Sequence, residues 1–240
     1  KHNSKFASFT IIAKGDFQTE MNIPIPFSLV SNDVSNNKLV IMPGYWFMYN
    51  MYALARNEGK YLSRDKRTDK TQVIEYGVLA PDSINEMFDA LQMMKQFTAT
   101  AFAKKNKKPI ADKELEKTGE SLLEKNAVAQ LEILAEGFEN SNRPVQLIKV
   151  PEAYKLFKEM IIYYSITQLL DFMERRKIQS WQKLLTALPA AQSRFKWKNI
   201  GGQLIPETAL YTLIRNVRSS KIKSWDEVHD FYNKKSGSYP

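Results

Sequence analysis

The chain has no cysteine, which excludes a disulfide scaffold, a thiol nucleophile and a thiolate-ligated zinc or iron–sulfur site. That lack suits a reducing interior, and a cytoplasmic setting is the expectation. Histidine is nearly absent too: His2 and His229 are too few for an all-histidine site, and no metal is expected. With 9 glycines and 10 prolines in 240 residues there is no collagen-like or low-complexity stretch, and 43% hydrophobic residues are too many for a disordered chain. No apolar run approaches the roughly 18 residues that a spanning helix needs. The nearest, Met160 to Ile166, is short and holds two tyrosines and a serine, so no membrane span is expected. The phosphate-loop, dinucleotide-glycine and nucleophile-elbow signatures are missing, as is a histidine pair on one helix turn.

What is there in excess is positive charge. Thirty-five basic against 26 acidic residues leave a net +9, which favours polyanions or anionic surfaces. The cations gather at Lys60, Arg64, Lys66, Arg67 and Lys70, at Lys104 to Lys108, and at Arg215, Arg218, Lys221 and Lys223. They are scattered over several segments and no zinc-finger, RNA-recognition or basic-zipper pattern accompanies them, so nucleic acid is not the expected partner.

The first 43 residues read as β and the remainder as helical. Phe6-Ala7-Ser8-Phe9-Thr10-Ile11 and Ile12-Ala13-Lys14-Gly15-Asp16-Phe17 repeat a large apolar residue followed by Ala with a period of six. Such a period fits the coils of a parallel β-helix, or an irregular strand pair. Ile23-Pro24-Ile25-Pro26-Phe27 loses two ladder donors to proline and reads as an extended crossover. Short strands are expected at Phe27 to Val30 and Lys38 to Met42, around a turn-rich Ser31 to Asn37. A buried helix is expected over Tyr45 to Ala55. A long helix begins at Pro81-Asp82-Ser83, with Ile84, Met87, Phe88, Leu91, Met94 and Phe97 as its apolar positions, and ends by Lys104 to Pro109. A second amphipathic helix carries Leu115 to Phe138, with Gly119 near a break. Another runs from Pro151 to about Arg176.

Two similar helix–turn–helix hairpins follow, one around Ser180-Trp181 and one around Ser224-Trp225, the latter with a capping box to Glu227. Their second helices carry apolar residues, Trp181, Leu184 and Leu185 in one, Trp225, Val228 and Phe231 in the other. Packing within the chain is therefore expected rather than DNA reading. Between them, Arg194-Phe195-Lys196-Trp197-Lys198 before Gly201-Gly202 alternates aromatic and basic residues. It could form a surface hairpin, or a site that stacks a base beside a cation, in which Lys196 and Trp197 would touch the ligand.

No complete catalytic set emerges. His2, beside Asn3 and Ser4, could act as a general base if its coil were completed by further chain. Arg64-Asp65-Lys66-Arg67 is the densest polar cluster; its cations could hold phosphate, and Asp65 reads as their local ion-pair partner. The chain opens on Lys1 rather than Met and stops on a Gly/Ser turn and Pro240, so it reads as a piece of a longer protein.

The stretch Asn22 to Phe88 carries Ile25-Pro26-Phe27-Ser28-Leu29, Met42-Pro43-Gly44, Arg64-Asp65-Lys66-Arg67 and Leu79-Ala80-Pro81-Asp82-Ser83-Ile84-Asn85-Glu86-Met87-Phe88. In these it resembles a bacterial domain-of-unknown-function family in which a hexapeptide-repeat left-handed β-helix, similar to sugar-nucleotide acyltransferases, precedes a helical domain. Lys1 to Phe9 looks like the last coil of that helix. The resemblance implies a mainly α chain, with residues 1–43 ending the β-helix and residues 44–240 forming the helical domain. It implies a C-terminal, accessory piece of a transferase-like protein whose substrate is nucleotide-linked or carried as an acyl group, not a complete enzyme by itself. Its partners would be the upstream β-helix and further copies of the chain in a homo-oligomer. His2, Arg64, Asp65, Lys66, Arg67, Lys196 and Trp197 are the candidate site residues, with no bound cofactor. The alternative is a non-catalytic interaction or oligomerisation module, which the aromatic and Met-rich helices suit if part of their apolar surface is exposed.

Overall fold

A computed structural model of the chain describes residues 3–68, 70, 73–188 and 194–235. The chain forms two compact units, one from residues 1–57 with 86–169, the other from residues 58–85 with 170–240. In chain order the elements are strands β1 (Lys5–Phe6), β2 (Ile11–Ile12), β3 (Asn22–Ile23), β4 (Leu29–Asp33) and β5 (Lys38–Met42), then helices α1 (Tyr45–Tyr49), α2 (Met51–Arg64), α3 (Pro81–Asn106) and α4 (Asp112–Glu124). Strands β6 (Ile133–Leu134) and β7 (Val145–Leu147) precede helices α5 (Val150–Arg175) and α6 (Trp181–Ala187), strands β8 (Trp197–Ile200) and β9 (Gln203–Pro206), and helices α7 (Glu207–Arg218) and α8 (Trp225–Lys235).

The first unit is built on a five-stranded sheet in the order β2-β4-β5-β7-β6. Leu39 and Ile41 alternate with less buried neighbours along β5, and Val30, Val145, Leu147 and Ile133 bury beside them, the period-two pattern of a sheet with one packed face. The β4–β5 hairpin closes through Asp33, whose carboxylate accepts from the backbone N–H of Asn36 at 3.1 Å and from its side-chain amide at 2.8 Å, and through Asn37 at φ 49°. Upstream, β1 lies parallel to β3 and β2 parallel to β4, pairing Lys5 with Asn22 and Ile11 with Leu29. At the corner Phe9 and Phe27 both hold left-handed φ, 58° and 57°, and their rings stack at 4.9 Å. A non-glycine residue there costs about 1–3 kcal/mol; complete burial of Phe27 and its second ring contact, with Phe47, oppose that cost.

This geometry overturns the expected β-helix. Only residues 5–12 lie as parallel rungs over residues 22–30; β4 then turns back antiparallel into β5, and the sheet continues as parallel β7 and antiparallel β6. The result is an open mixed sheet, not the last coil of a left-handed solenoid, and with about half of the chain helical, mainly α fits only loosely.

Helices complete the first unit. On α5, Val150, Ala153, Tyr154, Phe157 and Ile161 form one buried stripe at spacings of three and four. The α3 stripe runs through Met87, Ala90, Met94, Thr98 and Ala101, while Phe88, expected inside, is 37% exposed. Gly119 is not a break. It lies buried within α4, where a Cβ would stand 1.9 Å from the backbone oxygen of Lys95, so glycine lets α4 cross α3 almost backbone to backbone. Residues 45–55 also differ from expectation: Asn50, at φ −144°, divides α1 from α2, and Tyr49, Met51 and Tyr52 are exposed, leaving Leu54 as the buried residue of α2.

In the second unit, α3 starts at Pro81, and Ser83 in its first turn reaches back so that its Oγ accepts from the backbone N–H of Ala80 at 3.0 Å, the return half of a capping box. β8 and β9 form a two-residue hairpin with Gly201 and Gly202 at positive φ, and the Gly202 carbonyl accepts from the N–H of Glu75 at 2.7 Å. Leu184, Ile205, Ala209 and Leu213 are its buried apolar residues among α6, β9 and α7.

Candidate functional site

The expected polar cluster is a closed local pair. Asp65, just beyond α2, accepts from the Arg67 backbone N–H at 3.2 Å and from its Nε and Nη2 at 2.9 Å each, with Lys70 Nζ at 3.8 Å. The hydrogen bonds from the Arg67 side chain and backbone lower the Asp65 carboxyl to about 2. Arg67 also donates to Tyr61 Oη at 3.3 Å, and the Tyr61 ring stacks on Tyr76 at 4.8 Å. Its guanidinium fork is thus engaged within the chain. Arg64 and Lys66 flank the pair as exposed side chains. Lys196 is exposed at the entry to the β8–β9 hairpin, where its carbonyl accepts from the N–H of Glu207 at 2.8 Å, and Trp197 is half-buried on β8. His2 lies outside the described residues. Among the described residues no three His, Cys, Asp or Glu gather as metal ligands.

A second polar group went unread in the sequence. Glu139, its side chain wholly buried, accepts from Arg143 Nε at 2.5 Å, Arg143 Nη2 at 2.6 Å and Ser141 Oγ at 2.8 Å, while Arg143 Nη1 donates to Asn32 Oδ1 at 2.7 Å. Burial pushes the Glu139 carboxyl up, but hydrogen bonds from Arg143, Ser141 and Thr19 together hold it below its ordinary value. Arg143, Asn32, Asp16 and Thr19 line a polar cleft of about 460 Å³ in the first unit. The arginine and Asn32 are already matched to Glu139 and to each other, which makes them a brace for the β4–β5 hairpin.

The α7–α8 hairpin of the second unit is different. Glu207 sits in the first turn of α7 and Arg215 and Arg218 in its last, matching the helix dipole at both ends. Ser220 turns the chain at φ 55°. The capping box then forms as its spacing predicts: the Glu227 N–H donates to Ser224 Oγ at 3.3 Å, and the Glu227 carboxylate accepts from the N–H groups of Lys223 at 2.5 Å and Ser224 at 3.2 Å. Between the helices lies a cavity of about 590 Å³. Leu210, Leu213, Ile214 and Val217 form the α7 wall; Trp225, Val228 and Tyr232 form the α8 wall.

The expected packing of the two hairpin tryptophans within the chain is not what forms. Trp225 is 79% exposed and Trp181 62%. Leu185 beside Trp181, and Ile214 and Val217 beside Trp225, are exposed as well. The capping signals fixed where these helices start; they carried no information on whether the apolar face would be covered. The charged residues lining the cavity, Arg218 and Lys223, are both cations, and neither side chain has an ion-pair partner among the described residues.

A Treponema pallidum (strain Nichols) protein described as an uncharacterized protein is 36% identical over 242 residues, covering all of this chain. The chain spans about a third of that relative's length, 32%. No protein-family model matches the chain, and no solved structure matches it. No described helix is long and apolar enough to cross a membrane.

Proposed function

We propose that the chain is a non-catalytic docking module whose second unit takes an amphipathic helix of a partner protein into the α7–α8 groove. The observation that carries this reading is an apolar groove with a Trp225 ring 79% exposed at its wall. Exposed aromatic rings beside aliphatic side chains are where binding energy concentrates in protein interfaces, and contiguous apolar surface of this kind marks interaction sites. The groove runs along Leu210 to Val217 on one side and Trp225 to Tyr232 on the other. Seven residues rise about 11 Å, two helical turns, the span over which a bound helix presents its i, i+3, i+4 and i+7 side chains. A length of one third of the Treponema relative suits a module within a larger polypeptide. A cytoplasmic setting, which the lack of cysteine suits, belongs to the same reading.

The test uses the four tryptophan indole N–H signals of the 15N-labelled chain, with Trp225→Phe to assign one of them. On addition of a 14-residue amphipathic helical peptide with Leu at i, i+3, i+4 and i+7, the Trp225 signal is expected to shift, and Val217→Asp to abolish the shift while the fold survives. A Trp225 signal that stays put sinks the reading. An accessory role in sugar-nucleotide or acyl transfer makes another prediction: a thermal-midpoint rise with nucleotides, sugar nucleotides or acyl-coenzyme A, lost in Lys196→Glu.

A further inference from the structure

Resting on the docking reading, we infer that the partner helix is acidic, with carboxylates placed to meet Arg218 and Lys223 at the end of the groove where α7 turns into α8. Between Thr208 and Trp225 the sequence holds Arg215, Arg218, Lys221 and Lys223 and no acidic residue. Helical spacing sorts these charges. At about 100° per residue, Arg218 lies about 40° from Ile214 and so adjoins the face of Leu210, Leu213, Ile214 and Val217, whereas Arg215 lies roughly 150° round from its centre. The same spacing disposes of the acids on α8: Asp226, Glu227 and Asp230 each lie more than about 120° from the centre of the Trp225, Val228 and Tyr232 face. Glu227 is in addition held by its capping bonds. The groove walls therefore present cations alone. The carbonyls of Arg215, Asn216 and Val217 at the end of α7 already accept backbone N–H groups of the following turn, and a helix terminus is worth only about half an elementary charge against two full ones.

The charge also gives the bound helix an orientation. Arg218 and Lys223 stand at one end of walls about 11 Å long, so carboxylates at one end of the partner's apolar stripe would meet them while its other end rests on Leu210 and Tyr232. An apolar groove selects for any amphipathic helix; the unpaired cations select against basic ones by like-charge repulsion.

The probes are two 14-residue helical peptides with the same leucine stripe, one with Glu and one with Lys at the positions flanking it, titrated against the whole chain by isothermal calorimetry. The Glu peptide is expected to bind about tenfold more tightly at 50 mM salt, and that ratio to shrink as salt screens the rim. Arg218→Glu with Lys223→Glu should invert the preference, and Trp225→Ala should weaken both peptides about tenfold or more. Equal affinity for the two peptides, or a preference the double charge reversal leaves unchanged, overturns the acidic partner and leaves the docking groove standing. Failure of both peptides to bind overturns the docking reading and this inference together. Sedimentation supplies the remaining outcome: a dimer that Val217→Asp dissociates would make a second copy the occupant and overturn the acidic helix.

Discussion

Both units leave large apolar side chains exposed, Tyr52 and Tyr163 in the first as well as Trp181 and Trp225 in the second, but they differ in how large a core stands behind them. In the first, Phe27, Ile23, Ile25, Leu39, Ile41, Met87, Met94 and Phe157 are fully buried, and the buried carboxylate of Glu139 is matched by Arg143. In the second, the buried apolar residues among those described are Ala80, Ile84, Leu184, Ile205, Ala209 and Leu213, while Trp181, Leu185, Tyr211 and Trp225 are more than half exposed. Met87, Met94 and Phe157 lie on helices with the same three-and-four spacing as those of the second unit, the others on strands and extended chain. A helix is therefore a core element only where something covers its apolar face, and the α7–α8 hairpin is one place where that cover is missing.

The contrast is broken most severely inside the first unit. Phe157→Ala should destabilise the chain by about 4 kcal/mol, since a wholly buried ring is lost from the α5 stripe and a cavity replaces it; urea denaturation followed by circular dichroism reads the loss. Arg143→Ala should cost about 3 kcal/mol by leaving a buried carboxylate unmatched. Because Glu139 titrates below its ordinary 4.5 in the folded chain, its contribution is fully present above that value and is lost as pH falls through the lower folded one. The penalty of Arg143→Ala should accordingly shrink in acid, and a penalty unchanged down to the lowest pH at which the chain folds would mean that Glu139 is not the group involved.

Gly119→Ala sharpens the same contrast with a change of sign. In an open helix alanine stabilises by about 1 kcal/mol over glycine. At Gly119 the added carbon would stand 1.9 Å from the Lys95 backbone oxygen, so α4 must move off α3. A net loss of about 2 kcal/mol is expected, measured as a shift in the urea midpoint; a gain would mean that the two helices do not cross so closely.

Much of this was legible from local chemistry. The start of α3 at Pro81 to Ser83, the span of α5, the glycine turn between β8 and β9 and the Ser224–Glu227 box all depend on residues within about four positions, and all appear as the side chains dictate. What failed depends on distant residues. The segments that carry the six-residue period near Phe6 and Ile12 do not pair with each other but lie parallel to β3 and β4, and the sheet is completed by β7 from beyond residue 140, which no local period can foretell. Gly119 looked like a break because its reason is Lys95, on another helix. Of the site residues, the Asp65–Arg67 pair was readable two positions apart, whereas Glu139 and Arg143 were hidden in an Asn-rich turn whose partner, Asn32, lies over a hundred residues away. The groove was half legible: its apolar stripes and cations stand in the sequence, their exposure does not.

The smallest expected effect discriminates best between the two units. Trp225→Ala removes the largest side chain of the α7–α8 hairpin, and in a packed core such a truncation costs about 3–5 kcal/mol. With the ring 79% exposed, the change should stay within about 0.5 kcal/mol. Leu213→Ala, on the neighbouring helix but only 6% exposed, should cost about 2–3 kcal/mol and shows that the hairpin itself can report a lost contact. If Trp225→Ala proves as costly as Leu213→Ala, the ring packs within the chain and the groove loses its anchor. If it is neutral for stability yet weakens a bound helix tenfold, its burial free energy is held back for the partner.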